Sequence, residues 1–461
     1  MTTSASRRAF LRRAGALSLA GTAAPWALNL AAMAEASAAT AGDYKALVCV
    51  FLYGGNDYAN TLVPYDPVNY ARYQALRPNL AYGRSALATT ALTPAQAPLD
   101  RDGMPHAYAL APALGRLAPL FQAGKLGALL NVGTLVQPTT KPQYLSHSVP
   151  LPPKLFSHND QQSVWQAQAP EGARAGWGGR MGDLFEAGNG MAAFTCINMS
   201  GNAVYMSGRD AAPYQLAPTG AVALSALSRP LFGSSACSDA LRTLITQQRT
   251  QMLEDEYTRV TRRAITTNGA LTSALASVPA LQTPFAAGNP LANQLGMVAR
   301  LIAAAPSLGV KRQVFFVSLG GFDTHDGLAT AHPGLLANLG EALASFYAAT
   351  QELGVANQVT AFTASDFGRT LTGNNDGSDH GWGSMHFMLG GAVKGGAFYG
   401  TAPVVASDGP DDVGQGRLLP TTSVEQYAAT LGKWMGIADR DLLPLLPNLA
   451  NFDRRDLGFM A

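Results

Sequence analysis

The chain has 461 residues, 47% of them hydrophobic and only 13% charged, whereas globular proteins carry about 25% charged residues. That composition excludes a disordered, nucleic-acid-coating or coiled-coil chain. The net charge is +2, and Arg7, Arg8, Arg12 and Arg13 supply more than that excess. The rest is slightly acidic, without the basic stripe that tracking phosphates needs, so no nucleic-acid partner is expected. Cys49, Cys196 and Cys237 are the only cysteines and allow at most one disulfide.

Residues 1–41 read as an export signal. Adjacent arginines precede Phe10-Leu11, Ala14 to Ala34 carries no charge, and small-residue cleavage sites follow at Ala36-Ser37-Ala38 or Ala39-Thr40-Ala41. The pattern is that of a twin-arginine signal. It implies the twin-arginine export machinery as a partner, a folded protein delivered to the periplasm or beyond, and no stable membrane anchor in the mature form. Residues 42–461 form the expected mature domain.

Apolar runs at Ala46–Tyr53, Leu126–Val132, Ala192–Met199, Gln313–Leu319 and Gln358–Ala364 predict strands buried on both faces. Helices are expected at Gln161–Gln168, Asp239–Arg263, Pro290–Ala304, Leu335–Leu353 and Ser423–Met435, the last with Ser423 as N-cap. Alternating strands and helices predict a three-layer α/β/α sandwich with a mainly parallel central sheet. Residues 200–290, poor in strand signals, read as a cap or insertion.

Polar residues gather just after the apolar runs, where such sheets bind ligands. Asn56 and Asp57 follow the first run, Asp323 and His325 the fourth, and Asp366 and Arg369 the fifth. Asp379 and His380 lie in a glycine-rich loop, and Ser157-His158 precedes a helix. Converging carboxylates repel unless a cation neutralises them, and mixed oxygen and imidazole donors suit a divalent ion. Asp57, Asp323, His325, Asp366, Asp379 and His380 are therefore the expected ligands of one or two ions: zinc, manganese, magnesium or calcium. Ser157 is the candidate nucleophile, with Asn56 or Arg369 holding the substrate's oxygens. His386, Trp165, Trp177 and Trp382 read as structural. No nucleotide loop is present, so no nucleotide cofactor is expected. A serine esterase is disfavoured, because no Gly-x-Ser-x-Gly elbow is present.

These motifs carry a resemblance. The ordered set Phe51-Leu52-Tyr53-Gly54-Gly55-Asn56-Asp57, Ser157-His158, Gly176-Trp177-Gly178-Gly179-Arg180, Gly321-Phe322-Asp323-Thr324-His325, Ser365-Asp366-Phe367-Gly368-Arg369 and Asp379-His380-Gly381-Trp382-Gly383 resembles the bacterial domain of unknown function 1501 family. That family is similar in turn to the alkaline phosphatase and sulfatase superfamily. The resemblance implies an alkaline-phosphatase-like sandwich and metal-dependent hydrolysis of phosphate or sulfate esters, with a small-molecule or polysaccharide ester as substrate. Two departures stand out. Phe367 replaces a ligand that the superfamily usually has, and the Asp323–His325 spacing is short. They leave open an alternative, a non-catalytic envelope binding protein on the same scaffold.

Overall fold

The computed structural model describes residues 44–221 and 225–461; the expected export signal lies outside them. The strands are β1 (Lys45–Leu52), β2 (Leu62–Pro64), β3 (Tyr108–Leu110), β4 (Leu126–Gly133), β5 (Cys196–Asn198), β6 (Tyr214–Gln215), β7 (Arg312–Leu319), β8 (Val359–Ser365), β9 (Ser384–Gly390), β10 (Phe398–Tyr399) and β11 (Thr422–Ser423). The principal helices are α1 (Pro67–Leu76), α2 (His158–Ala167), α3 (Trp177–Phe185), α4 (Ser235–Thr246), α5 (Met252–Ser277), α6 (Pro290–Leu308), α7 (Leu328–Glu352), α8 (Val424–Met435) and α9 (Asp439–Leu445).

Nine strands form one mixed sheet in the order β10-β4-β9-β8-β1-β7-β5-β6, with β11 also on β4. Only β9 runs against its neighbours, pairing antiparallel with β4 and β8. The other pairings in this sheet are parallel, and β2 and β3 make a separate antiparallel pair. The expected α/β architecture with a mainly parallel sheet is the one observed.

Strand residues alternate between two buried faces. Leu47, Cys49 and Phe51 join a core with Trp177 and Met181 of α3 and Tyr427 and Leu431 of α8. Ala46, Val48 and Val50 point the other way and are equally buried. The apolar helix α6 packs on β7 and on α7 at this second face. Trp165, Trp177 and Trp382 are all buried, as expected of packing residues. His386 on β9 is buried too, facing Thr363 and the edge of Trp165.

Two expected elements differ. Residues Ala192–Phe194 form a 3-10 turn, so β5 is shorter than its apolar run. The exposed helix expected over Asp239–Arg263 is two helices, because Gln247 turns extended after α4. Among the described residues no helix is long and apolar enough to cross a membrane.

Helix α8 begins with a reciprocal cap between Ser423 and Gln426. Its first turn also buries Glu425. One carboxylate oxygen accepts from Asn448 at 2.9 Å and the other has no hydrogen-bond partner. Burial pushes this carboxyl up from 4.5 to about 8. The folded state therefore holds a proton that the unfolded chain has released, and stability falls as pH rises through that window. A Glu425→Gln variant is expected to gain on the wild type between those two pH values, by on the order of a few kcal/mol at the plateau. Thermal melts across the range check this, and a pH-independent difference would refute it.

Candidate metal centre

Strand β1 lies between β7 and β8, with Leu52 in register with Leu319 and with Ser365. Three loops therefore leave the sheet side by side, carrying Gly54, Asp323 and Asp366. Gly54 has a φ of +112°, and a Cβ there would lie 2.3 Å from the backbone nitrogen of Asp323. Only glycine permits this approach. Its N–H donates to Asp366 Oδ2 at 3.2 Å.

Around the Asp323 carboxylate stand three imidazoles. Nε2 of His325 lies 3.1 Å and Nε2 of His380 3.3 Å from Oδ1, while Nε2 of His158 lies 3.4 Å from Oδ2. Each Nδ1 is turned outward to an acceptor. His158 Nδ1 donates to Asp366 Oδ2 at 2.6 Å, His325 Nδ1 to Asp379 Oδ1 at 2.9 Å, and His380 Nδ1 to the Phe156 carbonyl at 2.7 Å. A carbonyl or an ionised carboxylate can only accept, so a neutral ring that donates through Nδ1 presents a lone pair at Nε2. The Nε2 atoms of His325 and His380 are only 2.8 Å apart. Two lone pairs at that distance need a shared proton or a cation between them.

The donor chemistry fits a metal. Ligand atoms of His158, Asp323 and His380 lie within 4.8 Å of one another. Nε2 of His158 is buried and makes no hydrogen bond, and neither does Oδ1 of Asp366. Carboxylate or carbonyl partners behind each imidazole are the usual second layer of a metal site. Phe156 reaches its position with a φ of +72°, a conformation that a bulky residue adopts only when its surroundings impose it.

Electrostatics follow from these contacts. The hydrogen bond to Asp366 raises the pKa of His158, while burial lowers that of His380. Burial alone would raise the Asp323 carboxyl, but the Arg369 guanidinium at 2.8 Å overrides it and holds the group below the usual range. Asp323 remains 44% exposed, so the centre is reachable from solvent.

The expected site residues divide into three groups. Asp323, His325 and His380 come together. Asp366 and Asp379 sit behind them as hydrogen-bond acceptors of imidazoles. Asp57 does not join: its carboxylate is fully buried against Arg77, which donates to Oδ1 at 2.8 Å and Oδ2 at 2.5 Å. It faces a guanidinium where a metal was expected. Asn56 is likewise buried, its amide oxygen accepting from Thr61 and facing His332 Nε2. Arg369 is fully buried and binds Asp323, the Gly54 carbonyl and the Ser378 carbonyl, so it fixes the Asp323 carboxylate and does not present itself to a substrate. Ser157 is the N-cap of α2, and its hydroxyl donates to Asp160 at 2.9 Å. His158 was absent from the expected ligands. Its signal was a histidine opening a helix beside the candidate nucleophile.

Phe367 packs against both His158 and His380, with ring centroids 4.9 and 4.7 Å away. Its side chain offers no donor atom to a metal.

Among solved structures, Ps i-CgsB aligns with a TM-score of 0.36 at 9% identity, covering 90% of this chain and 77% of that one. The PsFucS1 sulfatase from Pseudoalteromonas sp. aligns with a TM-score of 0.35 at 8% identity, covering 87% and 69%. Both are remote structural likenesses. No curated protein matches the sequence. The model of the family described as "Protein of unknown function (DUF1501)" matches residues 44–446, and the chain belongs to that family.

Proposed function

We propose that this protein is an exported, metal-dependent hydrolase of phosphate or sulfate esters. The observation that carries the reading is the convergence of three imidazole Nε2 atoms, each fixed through its own Nδ1, on one solvent-accessible carboxylate. A donor set rich in imidazole favours zinc or another transition metal over magnesium or calcium. Bound there, such an ion would polarise an ester oxygen and stabilise the charge that develops on it.

The chain's own residues do the rest. Asp366, Asp379 and the Phe156 carbonyl hold the imidazoles in the ligating tautomer. Arg369 keeps Asp323 ionised and aimed. Ser157 opens α2 next to His158, and Asp160 accepts a hydrogen bond from its hydroxyl. Asp160 is thus placed to take that proton as the oxygen attacks phosphorus or sulfur and the ester's leaving-group oxygen departs with the bonding pair, to be protonated by water. Asn56 and Arg369, buried and engaged, are not assigned to the substrate. Export is inferred from residues 1–41 and places the mature enzyme in the periplasm or outside the cell.

A binding role on the same scaffold is the second reading, favoured by Phe367, a side chain with no donor atom, packed against both His158 and His380. The two separate cleanly. Purified protein reconstituted with zinc or manganese is expected to retain about one ion per chain and to turn over at least one of a phosphate monoester, a phosphodiester and a sulfate ester. Chelation should abolish that turnover. Metal content far below one per chain refutes the metal centre, while full loading without turnover on any ester class favours binding.

A further inference from the structure

Helix α5 carries an apolar seam whose two halves have different fates. Leu253, Tyr257, Val260, Ala264, Thr267, Leu271 and Ala274 recur at alternating spacings of four and three, the a/d pattern of a coiled coil. In the second half the seam is covered: Thr267, Leu271 and Ala274 are buried where α5 packs on α6. In the first half the same face is open. Leu253 is 80% exposed, Tyr257 68% and Val260 42%, and Ala264 is exposed as well. Nothing among the described residues covers it.

The flanking charges say what does. On this seam Glu256 and Arg263 occupy successive g positions. In an antiparallel pair of helices g faces g, so Glu256 of one copy meets Arg263 of the other, twice by symmetry. A parallel pair would set Glu256 near Thr261 and Arg263 near Asn268, with no charge pairing. The apolar positions are self-complementary in the same antiparallel register. Leu253 layers against Ala264 of the second copy, and Tyr257 against Val260.

We propose that the first half of α5 is a dimerisation surface, on which a second copy of this chain docks antiparallel about a two-fold axis. The inference is independent of the metal centre. A pairing this short buries less than a standard interface of about 1,600 Å², so the association is weak and concentration-dependent.

Sedimentation velocity of the full chain, run from about 1 to about 100 μM, is expected to show a monomer passing to a dimer. Tyr257→Glu should leave a monomer throughout the range. Glu256→Arg and Arg263→Glu should each weaken the dimer, and the double variant should restore it, a rescue that general destabilisation cannot mimic. All these positions are exposed, and thermal melts confirm that the variants fold. A wild-type chain that stays monomeric overturns the proposal, as does a dimer indifferent to these substitutions. Capture of the monomer by anionic phospholipid vesicles through Tyr257, without self-association, also overturns it and assigns the seam to a lipid surface.

Discussion

A His158→Ala variant is expected to lose metal affinity by at least about 100-fold, and Asp366→Asn by about 10–100-fold. The first substitution removes a donor atom. The second keeps every ligand and changes only what stands behind one of them. Asp366 Oδ2 accepts the His158 Nδ1 proton at 2.6 Å and also accepts from Gly54 N–H and Gln162 Nε2. An asparagine oxygen can still accept, but without a full charge it polarises the imidazole less. Competition against a chromophoric chelator measures both affinities. Melts of the metal-free proteins separate a ligand effect from a loosened loop. Equal affinity in the Asp366→Asn variant and the wild type would show that the carboxylate does not tune the site. Unchanged affinity in His158→Ala would remove the centre altogether.

How much of this was legible in the sequence depended on the range of the deciding contact. Strands β1, β4, β7 and β8 announce themselves because a strand buried on both faces must be apolar throughout. Their C-terminal ends then place Asp323, His325 and Asp366 together with no further information. Strand β9 escaped this reading. Its segment Ser384–Gly390 mixes serine and histidine with apolar residues and follows a glycine-rich loop, and its burial comes from pairing with β4 and β8. The break between α4 and α5 has no glycine or proline to mark it. The sequence around Asp57 misled for a physical reason: a carboxylate after Gly-Gly looks the same whether a metal or a guanidinium will neutralise it. The choice is made by Arg77, which comes from the end of α1 and carries no local signature.

That pairing sets the largest expected change in stability. Asp57 and Arg77 are both fully buried, and neither can lose its partner cheaply. Replacing Asp57 by Asn is expected to destabilise the fold by about 3–5 kcal/mol, because it strands a guanidinium in the interior. The cost exceeds that of one contact. Asp57 also caps the turn at Tyr58–Asn60 and accepts from Ser378. Arg77 donates in addition to Asn60 Oδ1 and to the carbonyls of Thr370 and Leu371. An apolar substitution of both partners would leave those carbonyls unsatisfied, so the double variant should recover only part of the loss. The pH dependence identifies the cause. Burial alone would raise the Asp57 carboxyl, but Arg77 overrides it and holds the group at about 2, against an ordinary 3.8. The wild type therefore keeps this contribution above the higher value and loses roughly 2 kcal/mol of it as pH falls through the lower one. Denaturant titrations of wild type and Asp57→Asn should thus differ by a constant above about pH 4 and converge as acid is added. If Asp57→Asn instead melts like the wild type and loses bound metal, Asp57 is a ligand after all and the ion pair with Arg77 is not its working partner.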